Sequence, residues 1–232
     1  MTDAKRAQTA LFLTIALTFV TGVVDAVGFL ALDRVFTGNM TGNIVILGMG
    51  VAGADDLPVL GPAIALAAFT AAAWVAGLAL RKPRAARGTG WHHTVTVLLT
   101  LGAVTLTALT VVAAVLGDDS APVVEIVMAA VTAAVMGSQA VVARAVGVAD
   151  MTTVVVTSTL ASLAGETWTK GGRGVLLNRR LGAIVMIFAG ALVGALLLKV
   201  HIAVPFGLAA GITAVVAWQG HRVLSPRATA AA

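Results

Sequence analysis

A single carboxylate interrupts the first long apolar run of the chain. Asp25 lies 14 residues past Leu11, where that run begins. At 1.5 Å per helical residue this is roughly 21 Å of travel, well inside a hydrocarbon layer. An ionised carboxylate there costs several kcal/mol unless it is paired, hydrated or protonated. Two chemistries fit: a proton or cation site, or a neutral carboxyl bonded to neighbouring backbone. Arg34, nine residues on, would reach it only if the chain folds back.

Next comes Thr37-Gly38-Asn39-Met40-Thr41-Gly42-Asn43. Glycine permits close approach of backbones, while Asn and Thr supply neutral donors and acceptors. Asn39 and Asn43 are four apart, as are Thr37 and Thr41, so each pair shares a face of a helix. The segment reads either as part of a ligand pathway or as a turn and helix cap. Later in the chain, Thr152, Thr153, Thr157, Ser158, Thr159 and Ser162 form a hydroxyl-rich stretch headed by Asp150. Such hydroxyls bond back to their own helix or pack helices closely as readily as they hold a ligand. Gln139 sits five residues before Arg144 and is placed to face Asp150. Glu125 in a first helical turn suits the helix dipole. His92 and His93 beside Trp91 suggest an interfacial anchor rather than a metal site.

The elements that must position these groups follow from composition. The 232 residues are 59% hydrophobic and only 11% charged, with mean hydropathy +1.01. A water-facing surface usually needs about 25% charged residues. No cysteine is present, so neither disulfides nor thiolate metal sites arise. The net charge of +5 is held in short clusters between apolar runs. It does not form a basic stripe interleaved with aromatics, which argues against a nucleic-acid partner.

Six runs are long enough to cross a bilayer, which takes roughly 17 to 25 helical residues: Leu11 to Leu32, Gly61 to Leu80, Thr94 to Leu116, Pro122 to Ala143, Leu181 to Leu198 and Ile202 to Trp218. With the N-terminus inside, 13 of the 15 basic residues fall on the cytoplasmic side, leaving Arg34 and Lys199 outside. Both termini are then expected in the cytoplasm. Segments 35–51 and 147–163 do not fit this count and are expected to enter and return, each as extended backbone followed by a short helix. Asn39 or Thr41 would cap the first helix and Asp150 the second. An offset of 111 residues lays Met40-Thr41 on Met151-Thr152, Leu11 on Pro122 and Asn39 on Asp150. The expected fold is therefore all-α: one polytopic membrane bundle over 1–232, built of two inverted three-span repeats (about 11–116 and 122–218), each with a broken segment. Many secondary transporters hold substrate where such segments meet. Gly190-x-x-x-Gly194 fits close helix packing or a homo-oligomer contact.

Asp25 with Gly28, followed by Val35-Phe36-Thr37-Gly38-Asn39-Met40-Thr41-Gly42-Asn43, resembles the bacterial YoaK family, membrane proteins of unknown function. Gly137-Ser138-Gln139-Ala140 and Asp150-Met151-Thr152-Thr153 with Thr157 look like that family's second block. Members often carry an Asn near Ser138 or Gln139, where this chain departs. The resemblance implies a bacterial inner-membrane protein and no substrate.

With no nucleotide-binding loop or hydrolase motif, the leading expectation is a small-solute transporter or channel without cofactor, possessing no enzymatic activity. Its pathway would be lined by Asp25, Asn39, Thr41, Asn43, Gln139, Asp150, Thr152, Thr153 and Thr157, with membrane lipids and an unknown solute or ion as partners. A membrane-embedded enzyme using Asp25 or Asp150, and a non-catalytic assembly subunit, are the alternatives.

Overall fold

Six long apolar helices and one short one make up the described part of the chain in a computed structural model. It describes residues 2–54, 56–81, 91–117, 120–146 and 179–225. In chain order these helices are α1 (Asp3–Ala31), α2 (Met40–Val51), α3 (Leu60–Ala79), α4 (His93–Leu116), α5 (Pro122–Val146), α6 (Arg179–Leu198) and α7 (Ala203–Leu224). No strand occurs among the described residues. A lipid environment explains this choice, since a helix satisfies every internal backbone group within its own segment. All except α2 have the length and apolarity to span a membrane. Their large side chains face outward freely, among them Phe12, Trp74, Leu101, Val115 and Phe188.

The spans lie within a few residues of their sequence-based limits, except that α1 starts well before Leu11 and α7 runs past Trp218 to Leu224. Lys5 and Arg6 extend it as a basic first turn and a half, consistent with a helix end that leaves the hydrocarbon. Gly117, at φ 71°, stops α4 in the left-handed region that glycine adopts without penalty.

Packing follows a regular pairing. α1 lies along α6, α3 along α5 and α4 along α7; α1 also meets α7, and α5 meets α4. Two of these crossings are backbone on backbone. A Cβ on Gly190 would collide with the Phe19 carbonyl of α1, and one on Gly194 would lie 2.8 Å from the Val23 carbonyl. The Gly190–Gly194 face, expected to serve close packing or oligomer contact, is thus occupied by α1 of the same chain. Gly137 of α5 likewise sits on the Phe69 carbonyl of α3. The core between these pairs is made mostly of small and branched residues such as Val20, Val24, Ala129 and Ala133, with the larger Phe206 among them.

A second cluster gathers Ala10, Leu13, Leu17, Trp91, Val95 and Leu224 near the N-terminal end of α1. Trp91 was expected at the membrane interface, yet it is buried. Its ring fills the space over Gly220 of α7, and its indole N–H donates to the Thr96 hydroxyl at 3.1 Å. A ring of that size gains more by filling an interior notch than by lying in the headgroups. Trp218, by contrast, is exposed and lies beneath the Arg222 guanidinium at 4.6 Å.

Candidate functional site

The chain turns back on itself after α1. Asp33 and Arg34 both take positive φ, 55° and 53°, which reverses the direction of the backbone within two residues. Non-glycine residues in that region cost roughly 1–2 kcal/mol each, so the reversal needs support from its surroundings. Some comes from the Val35 amide, which returns to the Gly28 carbonyl at 3.2 Å. The Asp33 carboxylate, only partly buried, is held above the usual carboxylate range by desolvation, with Arg34 pulling the other way.

From Val35 to Asn39 the backbone runs back along α1. Such a strand inside a bundle carries unpaired amides and carbonyls, each of which needs a partner. Two side chains supply them. Asp25 Oδ1 accepts from the Thr37 amide at 2.9 Å, the Gly38 amide at 2.6 Å and the Thr37 hydroxyl at 3.4 Å. Asn43 clamps Phe36 at both ends: its Oδ1 accepts from the Phe36 amide at 2.8 Å, and its Nδ2 donates to the Phe36 carbonyl at 2.6 Å. Asn43 thereby acts as the missing neighbouring strand. Asn39 begins α2, its side chain accepting from the Gly42 amide at 3.2 Å. Gly38 is the deepest point reached: a Cβ there would lie 2.7 Å from the Thr21 methyl, ten residues below the end of α1. The first broken segment therefore enters and returns, as extended backbone followed by a short helix.

These contacts revise several expectations. The chain does fold back onto Asp25, but it brings backbone amides there and leaves Arg34 exposed. Asn39, Thr41 and Asn43 do not line one surface, since Asn39 and Thr41 are exposed while Asn43 is fully enclosed. Asp150, Thr152, Thr153 and Thr157, with all of segment 147–163, lie outside the described residues.

Gln139 faces α1. Its Nε2 donates to the Leu17 carbonyl at 3.2 Å and to the Thr21 hydroxyl at 3.3 Å. A carbonyl can only accept, so the amide must present nitrogen to it, and the oxygen points away. That oxygen is buried, with Gln139 7% exposed overall, and it has no partner among the described residues. Beside it runs a narrow cleft of about 20 Å³ between α1 and α5. Thr14, Thr18, Thr21, Gln139 and Gly38 supply its polar wall, with Phe69 and Met136 among its apolar lining. The volume suits one water-sized occupant.

The threonines of α1 were missed by reading the sequence alone, although a signal was present. Thr14, Thr18, Thr21 and Asp25 fall at steps of four, three and four, which is one helical face. Each hydroxyl bonds the carbonyl four residues back, at 2.8 Å for Thr14, 3.0 Å for Thr18 and 3.1 Å for Thr21. The face therefore keeps oxygen lone pairs outward while its protons are spent on the helix itself.

Six apolar spans, a re-entrant segment tied to a carboxylate within a span, and a polar cleft in the bundle define a polytopic helical membrane protein. The family described as "Protein of unknown function (DUF1275)" matches residues 13–218, and the chain belongs to that family. It is also 34% identical to the "UPF0700 transmembrane protein YoaK" of Bacillus subtilis (strain 168), over 203 residues. That similarity covers 84% of this chain and 86% of the relative. No solved structure matches the chain.

Proposed function

We propose that the protein moves a small solute or ion across a bacterial inner membrane, as a transporter or channel, through the cleft between α1 and α5. One observation carries this reading: Gln139, whose Oε1 is buried and without a partner among the described residues, lines a partly polar cleft within the bundle. An unsatisfied buried carbonyl costs roughly 1–3 kcal/mol, a cost that an occupant of the cleft would relieve.

The helix pairing supports the reading. Exchanging α1, α3 and α4 for α5, α6 and α7 turns the α1–α6 contact into α5–α3, and α1–α7 into α5–α4. The α4–α7 contact maps onto itself. Thr21 and Thr132, 111 residues apart, are both buried and both bond the carbonyl four residues back. Three spans per half would set the halves in opposite senses, the plan of many carriers. The distribution of the basic residues supports a cytoplasmic position for both termini. Among the described residues, Asp25 is met by backbone amides and the Thr37 hydroxyl and by no second titratable side chain, which favours a carrier over an enzyme using that carboxylate.

One observation favours a second reading. The bonds that satisfy Asp25 would equally suit a non-catalytic assembly subunit in which the carboxylate only holds the fold. Flux through proteoliposomes separates the two. Wild-type protein should pass a solute that empty vesicles retain, and Gln139→Leu should slow it by about tenfold, the equivalent of about 1.4 kcal/mol. If no solute in a panel of inorganic ions, ammonium compounds and small neutral molecules moves faster than in empty vesicles, the transport reading fails.

A further inference from the structure

The hydrogen-bonding valences around the cleft can be counted one by one. The Thr14 and Thr18 hydroxyl protons go to the carbonyls of Ala10 and Thr14. The Thr21 proton goes to the Leu17 carbonyl, and its oxygen accepts from Gln139. Both Nε2 protons of Gln139 are used, on Leu17 and Thr21. The Gly38 amide, the remaining polar donor on the wall, is held by Asp25 at 2.6 Å. Among the described residues lining the cleft, no donor is left over. What remains is the Gln139 carbonyl oxygen and the lone pairs of the threonine hydroxyls, which can only accept.

Resting on the transport reading for its context, we infer that this cleft takes hydrogen-bond donors of about water's size, ammonium-type cations foremost, and refuses anions. Converging oxygens with no opposing donor give a negative potential, which a cation or an N–H donor relieves and an anion worsens. The start of α2 does not offset this. Helix N-termini ordinarily attract anions, but here the Thr37 and Gly38 amides close on Asp25 and the Gly42 amide on Asn39. These amides are spent within the chain, and Met40 and Thr41, the first residues of α2, are not part of the cleft wall.

Binding and flux are read separately. The purified full-length protein is heated in detergent with ammonium chloride against N-methylglucamine chloride, and with sodium nitrate against sodium gluconate, at equal ionic strength. Ammonium should raise the unfolding midpoint and nitrate should not. In Gln139→Leu and Thr18→Val the same increment should require about tenfold more ammonium, a loss of about 1.4 kcal/mol. Gln139→Glu, which keeps a carbonyl oxygen and adds charge, should need less ammonium than wild type. Stabilisation by nitrate that depends on Gln139, an ammonium increment untouched in Gln139→Leu and Gln139→Glu alike, or no ammonium increment at all would each overturn the inference. In proteoliposomes, Gln139-dependent flux of anions would overturn it while leaving transport standing. Gln139-dependent ammonium stabilisation with no flux of any solute would uphold it and sink transport instead.

Discussion

Two polar regions lie on the same face of α1, a single helical turn apart, and they treat their hydrogen bonds in opposite ways. At Asp25 the carboxylate accepts from three donors of the returning segment. At Gln139 the donors are spent and an acceptor is left over. The first region is closed, and its polar groups hold a chain reversal in place. The second borders a cleft of about 20 Å³, and the residue that carries the leftover oxygen forms part of its wall. A polar group inside a membrane bundle thus has two distinct uses, and its bond inventory separates them where residue type does not.

The comparison can be broken most severely at the closed region. Asn43→Ala leaves the Phe36 amide and carbonyl without their partners in a buried strand. At roughly 1–3 kcal/mol for each orphaned group, the loss should be about 2–6 kcal/mol, read as a fall in denaturant resistance in detergent. A loss near zero would show that the reversal does not depend on the clamp.

Asp25→Asn keeps an oxygen for the Thr37 and Gly38 amides but gives up the extra strength of a charged acceptor. The expected loss is about 1–2 kcal/mol by the same measurement, smaller than for Asn43→Ala. Should Asp25→Asn prove the more damaging of the two, the carboxylate has a role beyond holding the strand.

Gln139→Leu sharpens the contrast from the other side. It removes two long bonds, at 3.2 and 3.3 Å, together with the unsatisfied oxygen. These effects oppose one another, so stability should stay within about 1 kcal/mol of wild type. A loss of several kcal/mol would place Gln139 with the structural groups.

The smallest effect concerns the turn that leads into the closed region. Because folding raises the Asp33 pKa above its usual value of 3.8, the unfolded chain releases this proton at lower pH than the folded one. The contribution of Asp33 to stability is fully present below pH 3.8 and is lost as pH rises through the folded value. Relative to Asp33→Asn, the wild type should therefore gain stability as the pH is lowered toward 3.8. The check is the pH slope of the unfolding midpoint for the two proteins, and equal slopes would refute it.

Much of the architecture was legible in the residues. Runs such as Thr94 to Leu116 leave no ambiguity, because lipid demands helices of a set length. The returning segment was legible too, since a full crossing by 35–51 would carry the basic cluster from Arg81 to Arg87 outside, and Thr37-Gly38-Asn39 supplies a glycine and a capping residue. Trp91 was not, because its burial depends on Gly220, more than a hundred residues away and uninformative by itself. The threonine face of α1 was written in the spacing, yet threonine in a lipid-facing or buried helix is so often structural that spacing by itself does not single it out.

Asp25 and Gln139 mark the boundary most clearly. Composition and spacing alone determined that both lie within spans, because transfer free energies depend on residue type and run length. Which of them is satisfied was decided only by tertiary structure. A hydrogen bond is a matter of ångströms and angles between groups distant in the chain: Gly38 had to fold back to Asp25, and Leu17 had to meet Gln139 across 122 positions. No local pattern carries that information, so the difference between a tied carboxylate and a free carbonyl appears only once the helices are packed.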